Sequence, residues 1–468
     1  MKIQKQIFFF LFITSFIAYL LDVDINIWLI LIVIFLVISI INIKNSFQYK
    51  FPFGEFISLI FFLDNTLAIS LLYFLNGKEL HTGDFMYTQV EILQYLPFSF
   101  LASQALIIGY ITIKQAPGTP WINFVKNFDK LINRNTLRTL IIIGSFGIFL
   151  QAFKLSPFLA FLLTSFFNCG LIGFALYTKK PTNIYILVGL AVSIFSASRS
   201  GMFGNLVYFI VYYLMLYIIS LSASGKKINW IKTISFGIVG FYFLALLQNI
   251  KTDYRTKIWA SKEQITTQSF YNTVNTNFDS KSPINVDFYM PLIFRLNQGY
   301  LVTAVMHKVP SQEPFADGNT ITTSVIDAFV PRFLNPEKEE AGGRQKIKRF
   351  TNINLVGETS MNIGLLGESY ANFGKVGSIL FIFIYGLLIG LFEKNIMIFS
   401  LKNPVILVFF PIFFQFLVGS GSDFLMVFNG IVKSSILIFA IILIFNWQKK
   451  QKDQELSNKN LQPNNFST

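Results

Sequence analysis

Cysteine is almost missing from this chain: Cys169 is the only one in 468 residues. A single thiol excludes an intramolecular disulfide and a cysteine-built zinc site, and its position inside an apolar run argues against a nucleophile. Histidine is as scarce, with only His81 and His307. Neither has a cysteine or a dense acidic cluster near it in the sequence, so no metal site and no cofactor is indicated. Phosphate-binding glycine loops, HExxH and nucleophile-elbow patterns are also lacking. Charged residues make up 13 % of the chain, against about 25 % for a typical soluble domain.

Hydrocarbon fills the space these residues leave. Hydrophobic residues account for 53 %, and 55 positions are phenylalanine. Apolar runs of roughly 15 to 22 residues recur from end to end, and a bilayer core of about 30 Å asks for about 20 residues per helix. The chain therefore reads as an all-α polytopic integral membrane protein with about 12 transmembrane helices. The runs at 140–153 and 183–195 are the shortest, and each is short enough to be tilted, interfacial or partly re-entrant. The first apolar run passes directly into Asp22 and Asp24 without a small-residue cleavage pattern, which reads as a retained span and not a signal peptide.

Lysine and arginine set the expected orientation, because cytoplasmic loops keep positive charge. Lys2 with Lys5, Lys44 with Lys50, the 114–138 loop, Lys179 with Lys180, Lys226 with Lys227 and Lys232, Lys394 with Lys402, and Lys449 with Lys450 are each separated from the next by a pair of spans. Both termini then lie in the cytoplasm. The Asp22/Asp24 turn, the 76–91 loop, the 196–201 turn, a long loop at 249–374 and the 419–423 turn lie outside. The net charge of +14 is then a basic rim facing anionic lipid headgroups, and no nucleic-acid partner is needed to explain it.

This layout divides the chain into transmembrane helices 1–9 (residues 1–248), one large extracytoplasmic loop (249–374), transmembrane helices 10–12 (375–447) and a disordered cytoplasmic tail (448–468). Apolar pieces at 289–294, 301–306 and 324–330 predict short helices lying against the outer face of the bundle. No internal repeat is evident, which weighs against an inverted-repeat carrier.

Four stretches could carry chemistry. In FSASRSGMFGNL (195–206), Arg199 stands among small residues that would let a bulky anion approach, and a guanidinium offers several fixed donors to phosphate oxygens. A helix start there would add its N–H dipoles, whereas snorkelling to headgroups is the structural alternative. In DAFVPRFLNPEK (327–338), two prolines hold Arg332 and Lys338 in a defined turn. GGRQKIKRF (342–350) is dense in cations and reads either as a solvated basic patch or as a cradle for a diphosphate, with Arg344 and Arg349 as candidate contacts. In GESYANFGKVG (367–377), a helix would put Glu368 and Asn372 on one face with Tyr370 turned elsewhere. Glu368 is a candidate general base or sugar-hydroxyl ligand, or else a helix-start acid satisfied by the dipole.

Asp22-Val23-Asp24 looks like a DxD pair but stands in a turn too short for more than an interface marker. Asp64, beside Asn65 in mid-span, must face the bundle interior. Asp423, in the GSGSD turn, is expected at the same mouth as Arg199 and is a candidate ion-pair partner for it.

Taken in order, the SRSG turn, the VPRFLNPEK segment and the GESYANFGKVG entrance to a late span resemble the Wzy-type oligosaccharide repeat-unit polymerases of O-antigen and capsule synthesis. Family members often read Lys-Pro where this chain has Lys338-Glu339. The resemblance implies polymerisation of undecaprenyl diphosphate-linked oligosaccharides at the outer face of the bacterial cytoplasmic membrane, without a metal or other cofactor. It also implies that Arg199 and Glu368 are catalytic, that Arg199, Arg332, Arg344 and Arg349 meet the diphosphate, that Lys338 binds substrate with them, and that Tyr370 and Asn372 line the acceptor side. Membrane lipids, a chain-length regulator and a flippase are the implied partners. An O-antigen ligase or other lipid-sugar glycosyltransferase, a flippase or exporter, and a non-catalytic glycolipid-binding subunit are the rival readings. Charges spread along several spans would favour a carrier, whereas here they gather at the external face apart from Asp64.

Overall fold

The computed structural model describes the chain except residues 1, 49, 77–79, 85, 114–118, 154–156, 179–183, 201–203, 226–227, 261–270, 277–284, 331–334, 336–337, 339–342, 356–359, 420 and 462–468. Every regular element among the described residues is a helix. Seven are long and apolar enough to cross a membrane: Ile25–Ser46, Phe53–Leu75, Ile92–Thr112, Leu159–Tyr177, Trp230–Asp253, Gly364–Ser400 and Phe424–Trp447. Shorter apolar helices run over Gln4–Leu20, Phe209–Ala223 and Pro404–Val418. Residues 140–152 and 184–195 of the two shortest apolar runs fall within the helices Arg134–Ala152 and Ile184–Ser200.

Ile92–Thr112 is the central element, buried at every position from Tyr95 to Tyr110. Its main partner is Gly364–Ser400, and glycines set their approach. A Cβ on Gly109 would strike the Phe383 carbonyl oxygen, and one on Gly386 would strike that of Leu106. Such small-residue contacts substitute for the hydrophobic drive that lipid cannot supply between helices. Polar side chains add to the packing: Thr66 Oγ1 lies 3.3 Å from Ser99 Oγ, and Gln104 Nε2 donates to Ser15 Oγ at 2.9 Å.

The span that begins at Phe53 contains one π-helical turn, Leu63–Leu67, which holds Asp64 and Asn65. A π turn leaves carbonyls off the helix ladder, and here they bond sideways. The Asp64 carbonyl accepts from Gln298 N at 2.9 Å, and the Asn65 carbonyl accepts from the Tyr95 hydroxyl at 2.6 Å. The π turn thereby anchors the long polar loop.

Within that loop the described helices include Met290–Leu296, Gly299–Lys308, Asn319–Phe329 and Arg344–Phe350. The expectation that these pieces lie on the outer face fails for Gly299–Lys308. Leu301 to Met306 are all buried, because the run is apolar on every side and no surface position would satisfy it. Gly364–Ser400 is broken at Gly374, whose φ of 65° and ψ of −168° lie outside helical space. The residues before the break belong to the loop, and those after it to a long apolar helix. Along that helix Lys375 and Glu393 are eighteen residues apart, or about 27 Å at 1.5 Å per residue, close to the thickness of a hydrocarbon core.

A second polar cluster sits at the Glu393 end. Lys50 Nζ pairs with Glu55 at 3.0 Å and with Glu393 at 3.9 Å. The Tyr110 hydroxyl lies 2.6 Å from Glu393 Oε2 and 3.1 Å from Glu55 Oε2, and receives a bond from Lys50 at 2.5 Å. Burial alone would lower the pKa of the Lys50 ammonium, but Glu393 and Glu55 more than offset it and hold it above the ordinary lysine value.

Candidate functional site

The opposite end gathers the segments that sequence reasoning singled out. Gly343, at φ 67°, starts the Arg344–Phe350 helix. A side chain there would collide with Asn362 and the Met361 carbonyl. Helical periodicity then turns Ile347 and Phe350 inward, 1 % and 0 % exposed, and carries the flanking Lys346 in with them. Arg344, Lys348 and Arg349 remain on the exposed face.

Lys346 Nζ lies 2.6 Å from Glu368 Oε1 and 3.3 Å from Asp423 Oδ2. The side chains of all three are essentially withdrawn from solvent. Thr320 Oγ1 also donates to Glu368 Oε1 at 2.9 Å, and the Phe424 amide donates to Oε2 at 2.7 Å. Asp423 in turn caps the last span, its Oδ1 accepting from Met426 N at 2.9 Å. Two carboxylates around one ammonium leave the trio with one net negative charge. Such a group persists in a dry environment only because each charge is both paired and hydrogen-bonded. The cluster ties the Asn319–Phe329 and Arg344–Phe350 helices to the starts of both the Gly364–Ser400 and Phe424–Leu461 helices.

Glu368 and Asn372 share a face. Asn372 Nδ2 donates to Thr320 Oγ1 at 2.7 Å and to the Glu368 carbonyl at 2.8 Å. Tyr370 points away from them into an aromatic contact with Phe98 and Phe315, at ring separations of 5.8 and 6.1 Å. Both carboxylate oxygens of Glu368 are engaged and the residue has no exposed surface. This geometry fits a positioning role better than proton transfer to or from a sugar hydroxyl.

The remaining candidates disperse. Lys338 Nζ donates to the carbonyls of Asp327 and, at 3.0 Å, Val330, closing the C-terminal end of the Asn319–Phe329 helix. Arg349 pairs with Glu313 at 2.6 Å and lies over the Phe350 ring. Arg344 reaches the Leu355 carbonyl at 3.4 Å from an exposed position. Arg332 lies outside the described residues, as does the side chain of Arg199.

The backbone at Arg199 corrects one expectation. It stands in the last turn of Ile184–Ser200, and the next helix begins at Gly204. A helix C-terminus attracts cations and offers no N–H groups to an anion, so the helix that carries Arg199 does not itself supply the expected dipole. Asp423 is held by Lys346, which corrects its expected pairing with Arg199. Asp24 serves as a cap, its carboxylate accepting from Asn26 N at 2.8 Å.

Three acceptor oxygens at this end, Asp327 Oδ2, Asn362 Oδ1 and Asn372 Oδ1, are buried and have no hydrogen-bond donor among the described residues. They come from three of the segments that meet at the site. Acceptors of this kind suit the hydroxyls of a polyol, and the Arg344–Phe350 helix presents exposed cations.

Sequence reasoning missed Lys346, Thr320 and the partnership of Asp423. Lys346 could have been found by laying RQKIKRF on a helix, where it borders the Ile347/Phe350 face. Thr320 carries no such signal. No curated protein and no solved structure matches the chain. A family model does match, over residues 9–451, and the chain accordingly belongs to the family described as Domain of unknown function (DUF8712).

Proposed function

We propose that this protein polymerises undecaprenyl diphosphate-linked oligosaccharide repeat units at the outer face of the cytoplasmic membrane. In this reading the chain crosses the bilayer about twelve times with both termini inside, the five shorter apolar helices joining the seven long ones. The loop end carrying Lys346, Glu368 and Asp423 then faces outward, and the Lys50 cluster faces the cytoplasm.

The observation that carries the reading is the pairing of unmatched buried acceptors with a cationic helix face. A diphosphate-linked sugar presents hydroxyl donors and phosphate oxygens together. Arg199, Arg332, Arg344 and Arg349 are assigned to the diphosphate, whose developing charge on departure needs cations; losing one such contact in a dry site costs about 3 kcal/mol. Lys338 holds the proline-containing turn. Asn372 offers its free oxygen to the acceptor sugar, Tyr370 packs the wall behind it, and Glu368 fixes Lys346 and the 364–374 segment. A chain-length regulator and a flippase are the proposed partners, with membrane lipids as the surround.

A surface-glycan gel tests this. A strain lacking the gene should lose the polymer ladder while keeping a band of one repeat unit, and Arg199→Ala at normal membrane level should not restore the ladder. Polymer accumulating on its lipid carrier outside would instead identify a ligase. Repeat units trapped on the inner leaflet would identify a flippase.

A further inference from the structure

Outside the bundle, between Gln4–Leu20, Ile92–Thr112 and Gly364–Ser400, runs a groove with an internal volume of about 480 Å³. Phe12, Phe16, Leu101, Ala105, Ile379 and Phe383 form its walls. Its lining is almost wholly apolar, and the one charged residue in it is Lys375. The order of residues along each helix fixes its direction. Tyr19, Phe98 and Lys375 stand at one end, and Phe9, Ile108 and Phe383 at the other. The run from Lys375 to Phe383 spans about 12 Å.

Lys375 is half-buried, and among the described residues no acceptor or carboxylate engages its ammonium. A lysine placed so is costly unless an anion joins it. The volume lies within the range of small-molecule sites, about 300–1,000 Å³. An apolar channel with a lone cation at its mouth is complementary to an amphiphile that has a hydrocarbon chain and an anionic head. The mouth also lies against the Tyr370 side of the 364–374 segment that carries Glu368 and Asn372. Phe98, in the groove wall, packs on Tyr370, two residues from Glu368, and Gly374 breaks the helix between that segment and Lys375.

We propose that this groove holds the isoprenoid chain of the lipid-phosphate carrier, with Lys375 on its phosphate. This rests on the polymerase reading, because it is the attached glycan that must reach the Tyr370–Asn372 segment. A phosphate on Lys375 would place what it carries next to that segment, while the chain remains in the bilayer plane.

The test uses full-length protein in nanodiscs with undecaprenyl phosphate and, as competitor, phosphatidylglycerol, read by native mass spectrometry. Two variants accompany it: Lys375→Ala, and Leu380→Trp, which fills the groove from a position 59 % exposed. Both should elute as wild type does on size exclusion. The expected result is retention of undecaprenyl phosphate over phosphatidylglycerol, weakened about tenfold or more by each variant, with a shortened glycan ladder in cells. Equal displacement by phosphatidylglycerol, or binding indifferent to both variants, overturns the groove assignment even if the deletion strain shows that the polymerase reading holds. A ladder intact in the deletion strain sinks the polymerase reading whatever the groove binds.

Discussion

Replacing Lys346 with methionine keeps most of the length of the side chain and removes the ammonium group. Glu368 and Asp423 then face one another across a site withdrawn from water, with no cation between them. Removing one partner of a buried pair costs about 3–5 kcal/mol, because the surviving charge is stranded. Glu368→Gln is milder. Its amide oxygen can still accept from Thr320 or from the Phe424 amide, and Lys346 keeps Asp423 at 3.3 Å. The loss there is one charge-assisted bond, about 1.5–3 kcal/mol. The double variant should cost less than the sum of the two, since removing Glu368 relieves the repulsion that Lys346→Met creates. Reversible unfolding in mixed micelles, titrated with SDS and followed by tryptophan fluorescence, measures all three. If Lys346→Met costs less than about 1 kcal/mol, or if the two single changes simply add, the trio is not an interdependent buried ion cluster and the argument fails.

Gly109→Leu should be among the most damaging substitutions in the span region, because the new side chain meets the Phe383 backbone and not a movable side chain; loss of folded protein on size exclusion checks it. Gly374→Ala should cost about 1–3 kcal/mol, since φ 65° with ψ −168° is a conformation essentially restricted to glycine; the same SDS titration reads it. The Lys50 cluster has a defined pH signature. A raised pKa in the folded state means that the stabilisation is complete below the unfolded value of 10.5 and is lost as pH rises through the higher folded value. The stability difference between wild type and Lys50→Met should therefore shrink as pH rises above 10.5 through the higher folded value; a difference unchanged across that range would refute the assignment.

The membrane class was legible because long apolar runs have few other physical explanations, and the loop helices were legible where apolar residues clustered. Gly299–Lys308 escaped correct placement because composition gives helicity but not depth, and a run apolar all round can lie on a surface or plug a core. At the candidate site, the spacing of Glu368 and Asn372 gave a shared face at once, since four residues make nearly one turn. The partners of Glu368 were not legible. Thr320, Lys346 and Asp423 are 48, 22 and 55 residues away from it, and only tertiary packing brings them together. Arg199 shows the same limit in reverse: small residues mark a chain turn, but whether the arginine ends one helix or begins the next depends on a boundary of two or three positions. The Lys50–Tyr110–Glu393 cluster has no local pattern at all.

The eighteen residues from Lys375 to Glu393 act as a ruler. A bilayer much thicker than about 27 Å would draw one of these polar anchors into hydrocarbon, and a much thinner one would expose apolar surface to water, each at a fraction of a kcal/mol per ångström. In a bilayer, the helix therefore favours a hydrocarbon core near that thickness. A stable fit also keeps Lys375 at a constant depth relative to the loop segment on the other side of the Gly374 break.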